Sequence, residues 1–499
     1  MNEKMNRLRR LINQVQDLHG AAAVLGWDQQ TCMPPGGAAA RAEQLGTLQE
    51  LAHKFFTSPE VGALLDSLAD HAKELDPDSD DACLLRVLAR NYAKKTRVPS
   101  SLVAEIARTS AAAEHVWEQA RAASDFTMFS PHLEKLVSLM RDYSACFKPF
   151  AHPYDPLLDD YESGLNTESV RKVFEGLRPR QVELIRKIAS RPQLSDEFMN
   201  GDFDAQKQLE FGSMVISKFG YDWQRGRQDR SAHPFTSTLG FGDVRITTRV
   251  MPRRLDSALF SSMHEAGHAL YEQGMSQSLM RTPLADGASL GVHESQSRLW
   301  ENIVGRSKPF WKHFLPHLKE AFPQLSGIGL DDFYRGINKV QPSLIRVESD
   351  EATYNLHVML RFELEIALIE GTLNVAELPE AWNAKMSEYL GLEPGNDAEG
   401  VLQDVHWAAG LFGYFPTYAL GNLLASQIWQ CAGRELHNLP GQIANGEFSE
   451  LREWLREKIH RHGAKYEPSV LVRRLAGADL SPEPYLRYLN DKYGEIYGL

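Results

Sequence analysis

The sequence predicts a mostly α-helical protein, a single domain over 1–499, with one small β-sheet near the middle of the chain. Most long segments place apolar residues three and four apart. In "ATYNLHVMLRFELEIALIEG" (352–371), Leu356, Met359, Leu360, Glu363 and Leu364 share one helical face. One short run instead alternates strictly: in "DVRITTRV" (243–250), Val244, Ile246, Thr248 and Val250 face one way, and Asp243, Arg245, Thr247 and Arg249 the other. That is the pattern of a half-buried strand. No repeat, low-complexity tract or Pro/Ser-rich linker divides the chain. A subdivision into two lobes, helical 1–220 and motif-bearing 230–422, is compatible with this.

Taken in order, helical patterns fill the first two hundred residues and break at "MPPGG" (33–37) and "AHPYDPLLDDYESGLN" (151–166). The stretch 228–243 reads as irregular, with "GFG" as a turn into the strand. A helix follows over 256–274: Asp256 or Ser257 caps it, Phe260, Met263, Gly267 and Tyr271 form its inner face, and Gly274 ends it. Gly267 and Ala266 are small, which lets this helix pack closely under a substrate. Irregular chain is expected again at 281–292 and 391–400, and Gly371 ends the helix at 352–371. The uncharged run 408–433 has the length of a membrane span, but Pro416, Asn422, Ser426, Gln427 and Gln430 favour a buried, kinked interior segment.

Composition narrows the partners. The net charge of −12 argues against nucleic acid or an anionic membrane surface as the main partner. Four scattered cysteines support neither a disulfide framework nor a thiolate zinc site, and the N-terminal residues lack a signal-peptide core. A cytoplasmic protein is the expectation.

The chemistry centres on "SSMHEAGHALYEQG" (261–274). Residues four apart share a helical face, so His264 and His268 can point ring nitrogens at one ion. Glu265 is rotated about 100° away, able to reach a water without ligating the metal. The pentapeptide is too common by chance to decide alone, so a third ligand is required. Glu272 lies about 12 Å along the axis from His264, too far to converge. The longer signature with a third histidine fails, because Gly274 stands where that histidine would be. "GVHESQSRLWEN" (291–302) offers Glu294, with Glu301 on the same face. Glu294 completes a His₂Glu site; alternatively it only complements a helix N-terminus. His293 reads as structural.

Further motifs accompany this helix: "WDQQTCMPPGG" (27–37), "HPF" (233–235), "DVRITT" (243–248), "HESQSR" (293–298), "IRVESD" (345–350), "GVLQDVHW" (400–407) and "FGYFPTYALGN" (412–422). In order and spacing the chain resembles the HEXXH-type metallocarboxypeptidases of the carboxypeptidase Taq type, departing only at Ser349, where the family usually has Ala. The resemblance implies a helical zincin-like fold with a deep cleft, a homodimer, and zinc or cobalt on His264, His268 and Glu294. It implies Glu265 as general base of a metal-activated water that hydrolyses C-terminal residues from peptides. His233, His406, Tyr414 and Tyr418 lie in the family motifs and are candidates for stabilising the oxyanion or binding substrate, with His406 and Tyr418 preferred as catalytic.

An exopeptidase must also bind a free C-terminal carboxylate, which a guanidinium does bidentately. Arg346, in "IRVESD", is nominated; local pairing with Glu348 or Asp350 is the competing reading. Arg245, on the polar face of the strand with Asp243, reads instead as half of a structural ion pair, and that strand is expected to be able to bind substrate backbone as an added strand. An oligopeptidase cutting internally would use the same metal site, and a non-catalytic metal- or peptide-binding protein is a third reading.

Overall fold

The computed structural model describes residues 2–499, which form twenty α-helices, short 3₁₀ and π segments, and one three-stranded sheet. The mostly helical expectation holds. The N-terminal helix, α1 (Asn2–Thr31), packs on α2 (Ala38–Phe56) and lies across the sheet. Its Trp27 is buried there beside the guanidinium groups of Arg245 and Arg227, 4.5 and 5.2 Å from the ring centre.

The largest apolar core draws on distant parts of the chain. It joins α3 (Phe126–Ala145) and α4 (Thr167–Ala189) to the helix at 354–370, to the first turns of the helix at 416–435, and to the C-terminal helix at 483–497. A second core surrounds α5 (Asp256–Gly274), which carries His264, Glu265 and His268. Asp256 is the first residue of α5 rather than its cap, because its carboxylate is paired with Arg254 at 2.7 Å. Gly274 closes α5 against the His460 ring.

Three strands, β1 (Gln228–Arg230), β2 (Thr236–Gly240) and β3 (Asp243–Thr248), form a sheet of order β1-β3-β2. The reading of 228–243 as irregular is therefore corrected: two of the three strands lie in it, each too short to show alternation. The edge role of β3 is corrected as well. It is central, parallel to β1 and antiparallel to β2, so it has no free edge. Thr247, on the face expected to be polar, is buried because residues 231–235 fold over it: its hydroxyl lies 2.7 Å from Ser231 Oγ and accepts from Phe235 N at 3.0 Å. Arg245 pairs with Asp243, at 2.7 Å.

Downstream of α5, α6 (Leu290–Arg298) carries Glu294 and runs into a wider π-helical stretch, Leu299–Val304. The helix α7 (Tyr354–Glu370) ends at Gly371, whose φ of 83° is the left-handed geometry glycine accepts. In α8 (Pro416–Glu435), Pro416 sits in the first turn, where its missing N–H costs nothing. The uncharged run is thus irregular chain followed by a continuous, largely buried helix. Among the described residues no helix is long and apolar enough to cross a membrane. The C-terminal helix, α9 (Glu483–Tyr497), braces the segment before α7: Lys492 Nζ pairs with Glu351 at 2.6 Å, and Val340 N donates to the Tyr497 hydroxyl at 2.8 Å.

Candidate active site

Helices α5 and α6 approach closely because Gly267 has no side chain; a Cβ there would lie 2.6 Å from the Gln296 carbonyl oxygen. Its smallness thus makes room for α6, rather than for a substrate. This contact brings Glu294 opposite the two histidines, so that ligand atoms of His264, His268 and Glu294 all lie within 4.8 Å of one another. Arg298, one turn after Glu294, donates to Glu294 Oε1 at 2.7 Å. The other oxygen, Oε2, faces His264 Nε2 at 3.6 Å and His268 Nε2 at 3.4 Å. These gaps are long for hydrogen bonds, and they match the ~3.3 Å ligand-to-ligand edge expected of a tetrahedral site with bonds near 2.0 Å.

The other nitrogen of each ring is held from behind. His264 Nδ1 lies 2.8 Å from Glu301 Oε2, and His268 Nδ1 lies 2.5 Å from His293 Nδ1, whose Nε2 is 2.8 Å from Glu272 Oε1. Such partners fix the tautomer that leaves Nε2 free as a ligand. Burial pushes the His268 imidazole down to about 3, which keeps it neutral. Burial acts upward on the Glu294 carboxyl, but Arg298 and the histidines outweigh it and hold the group well below the usual range. Two imidazole nitrogens and one ionised oxygen fit a divalent ion of the zinc type.

Glu265 is buried, and burial raises its carboxyl above the ordinary value. Thr236, at the start of β2, has its hydroxyl 2.6 Å from Glu265 Oε2 and 3.0 Å from the Glu265 carbonyl oxygen. The sheet therefore reaches the site through its free-edged strand, β2.

The opposite wall comes from α8 and the chain before it. Gly421 packs on the Glu294 side chain, and Tyr418 stands one turn earlier on the same helix. The Tyr418 hydroxyl is 3.3 Å from His406 Nε2, and its ring meets Tyr414 edge-on at 5.3 Å. Burial pushes His406 down to about 4 and the Tyr418 phenol well above its ordinary value, so one is neutral and the other keeps its proton. Glu365 fixes this loop by accepting from Trp407 Nε1 at 2.8 Å and Gly413 N at 3.0 Å.

Arg346 lies beside Tyr418, its guanidinium 5.0 Å from the ring centre, and is only 5% exposed. Its partners are Asp404, at 2.7 Å, and the Tyr354 hydroxyl, at 2.8 Å. Neither neighbour in sequence, Glu348 or Asp350, pairs with it; Asp350 instead accepts from the backbone of Gln341, Ala352 and Thr353. His233 is not brought into this cluster. Its side chain is exposed, and among the described residues it makes no side-chain hydrogen bond, although Thr236 three residues later reaches Glu265.

The profile of the carboxypeptidase Taq (M32) metallopeptidases matches residues 7–493. The chain belongs to that family. It is 41% identical over 493 residues to thermostable carboxypeptidase 1 of Thermus thermophilus, covering 96% of each chain. It is 38% identical to carboxypeptidase 1 of Bacillus subtilis, covering 98% of this chain and 97% of the relative. The crystal structure of an M32 carboxypeptidase from Deinococcus radiodurans R1 superposes with a TM-score of 0.97 at 41% identity, over 100% of both chains. An M32 metallopeptidase depends on a divalent metal, and the His264–His268–Glu294 cluster is the candidate for it here.

Four residues around this M32 site escaped the sequence reading: Thr236, Arg298, Asp404 and Arg361. Arg298 was within reach, since its i, i+4 spacing from Glu294 is that of a helical ion pair. Asp404 and Arg361 meet Arg346 only through the fold.

Proposed function

We propose that the chain is a metallocarboxypeptidase in which His264, His268 and Glu294 hold one zinc or cobalt ion and Glu265 is the general base. The observation that carries this reading is the convergence of two imidazole nitrogens and one carboxylate oxygen beside the buried Glu265 carboxyl, which lies outside that cluster. When bound, the ion would polarise the scissile carbonyl and acidify a water. Glu265 takes the proton of the attacking water on the oxygen nearest Thr236 or its twin, then returns it to the leaving amine. Tyr418, protonated and beside the Glu294 wall, donates to the developing oxyanion, and His406 orients that hydroxyl. Arg346 receives the terminal carboxylate: three of a guanidinium's five N–H donors are engaged by Asp404 and Tyr354, leaving two. Tyr414 lines the same wall. His233 is retained as a substrate contact on the approach to β2, whose free edge can take the peptide backbone.

The same reading makes the protein a single catalytic domain, a cytoplasmic homodimer with peptide substrates and no nucleic-acid partner. Its test is mass spectrometry of an N-blocked peptide with its C-terminus free and again amidated. Stepwise shortening of the free acid alone supports a carboxypeptidase. Internal cuts in both peptides would establish an oligopeptidase instead, and metal binding without any cleavage a binding protein.

A further inference from the structure

Arg346 and Arg361 share one carboxylate. Asp404 Oδ1 accepts from Arg346 Nη2 at 2.7 Å and from Nε at 3.1 Å, while Oδ2 accepts from Arg361 Nε at 2.6 Å. Arg361 has no exposed surface and also donates to the His357 carbonyl oxygen at 2.6 Å, so it is fixed from both ends. Two guanidinium groups against one carboxylate leave this buried cluster one positive charge in excess.

Among the described residues, Asp404 is the one carboxylate paired with either guanidinium. His406 and His357 border the cluster, and burial pushes them down to about 4 and about 3, so both are neutral. Glu365, one turn beyond Arg361 on α7, is turned into Tyr154, Trp407 and Gly413, and burial pushes its carboxyl up to about 7. Burial also draws Arg361 down to about 10, which still leaves it protonated at neutral pH. On the other side, Asp404 is held well below the usual carboxylate range because Arg361 and Arg346 outweigh its burial. An uncompensated interior charge is costly unless an anion meets it. Alone, Asp404 would close Arg346 into a neutral pair with little left to attract a second carboxylate.

We infer that Arg361 is a positioning residue for substrate selection: it cancels the charge of Asp404, so that Arg346 presents a net cation to the C-terminal carboxylate. The inference rests on the assignment of Arg346 above. It makes the receptor a three-residue device matched to a single negative charge.

The test measures KM and kcat separately for an N-blocked peptide with a free C-terminus, in the metal-loaded enzyme, with folding checked by circular dichroism. Arg361→Gln should raise KM about tenfold or more while kcat changes far less. Arg361→Lys, which keeps the charge, should hold KM near that of the unsubstituted protein. The double variant Arg361→Gln/Asp404→Asn restores the single excess charge and should recover KM to within about threefold. A folded Arg361→Gln protein with an unchanged KM overturns the inference. Should that variant fail to fold, a double variant whose KM rises to that of Arg346→Gln overturns it equally. An Arg346→Gln protein that keeps the parent KM sinks the assignment of Arg346 itself, a separate outcome.

Discussion

Gly421 lies against Glu294: a Cβ on residue 421 would sit 2.6 Å from Glu294 Cγ and 2.7 Å from Glu294 Cβ. The helix that forms the far wall thus presses on the candidate ligand through a position that tolerates only hydrogen. Gly421→Ala should displace the carboxylate and weaken metal affinity about 10- to 100-fold, as disturbed outer-shell support does. Equilibrium dialysis against a competing chelator measures it. Unchanged affinity would mean that Glu294 gives way without losing its aim.

Glu301 holds His264 from behind, and Arg298 holds both Glu294 and Glu301. Glu301→Gln keeps the shape but removes the charge that stabilises the His264 N–H. A loss of about 10- to 100-fold in metal affinity is expected, with little change in turnover once the ion is saturating.

Glu265→Gln isolates the proton-transfer step. The variant should bind the ion as well as the parent, since the proposed ligand set leaves Glu265 out, while kcat falls about 10²- to 10⁴-fold. Metal content by atomic absorption, measured beside turnover, separates the two effects. Loss of the metal would place Glu265 in the ligand set.

Chelation should destabilise the protein as well as inactivate it, because an ion that binds only the folded state adds RT ln(1 + [L]/Kd), about 4 kcal/mol at a thousandfold excess over Kd. The melting temperature should fall with a chelator and return with zinc or cobalt. Recovery of turnover with only one of them would choose between the ions.

Glu162 and Glu365 give the stability a pH dependence. Burial pushes both carboxyls up to about 7, although Glu162 accepts from Gly291 N at 2.5 Å at the start of α6. A carboxyl that binds its proton more tightly folded than unfolded contributes fully below its ordinary value, and that contribution is lost as pH rises through about 7. The slope is at most about 1.4 kcal/mol per pH unit for each group. Glu365→Gln, neutral throughout, should be less stable overall, since its amide faces a donor, yet show a flatter decline of melting temperature between roughly pH 5 and 7. An unaltered slope would show that Glu365 does not titrate there.

The sequence showed the helices and the local part of the site because both rest on short-range periodicity. His264 and His268 are one turn apart, and "DVRITTRV" announces a strand within eight residues. What it hid depends on distance along the chain. β1 and β2 are too brief to alternate, and their hydrogen bonds to β3 exist only once the chain turns back. In sequence Arg346 has Glu348 and Asp350 two and four residues away, whereas its partner Asp404 is 58 residues away. Tyr418 could be named from its motif, but its place beside Glu294 follows from Gly421, whose role is visible only against α6.

The largest core has a consequence for biosynthesis. It packs Phe126, Leu133 and Phe174 with Leu356, Phe362 and Leu420, and then with Tyr485, Leu489 and Ile496. At about 5–20 residues per second a ribosome needs roughly 20 to 75 seconds to cover that interval. Throughout it, α3 and α4 hold apolar faces whose partners do not yet exist. The helices bearing His264 and Glu294 emerge midway, before α8 has arrived to wall the site. A nascent chain of this protein therefore keeps apolar faces of α3 and α4 uncovered until α9 has been made.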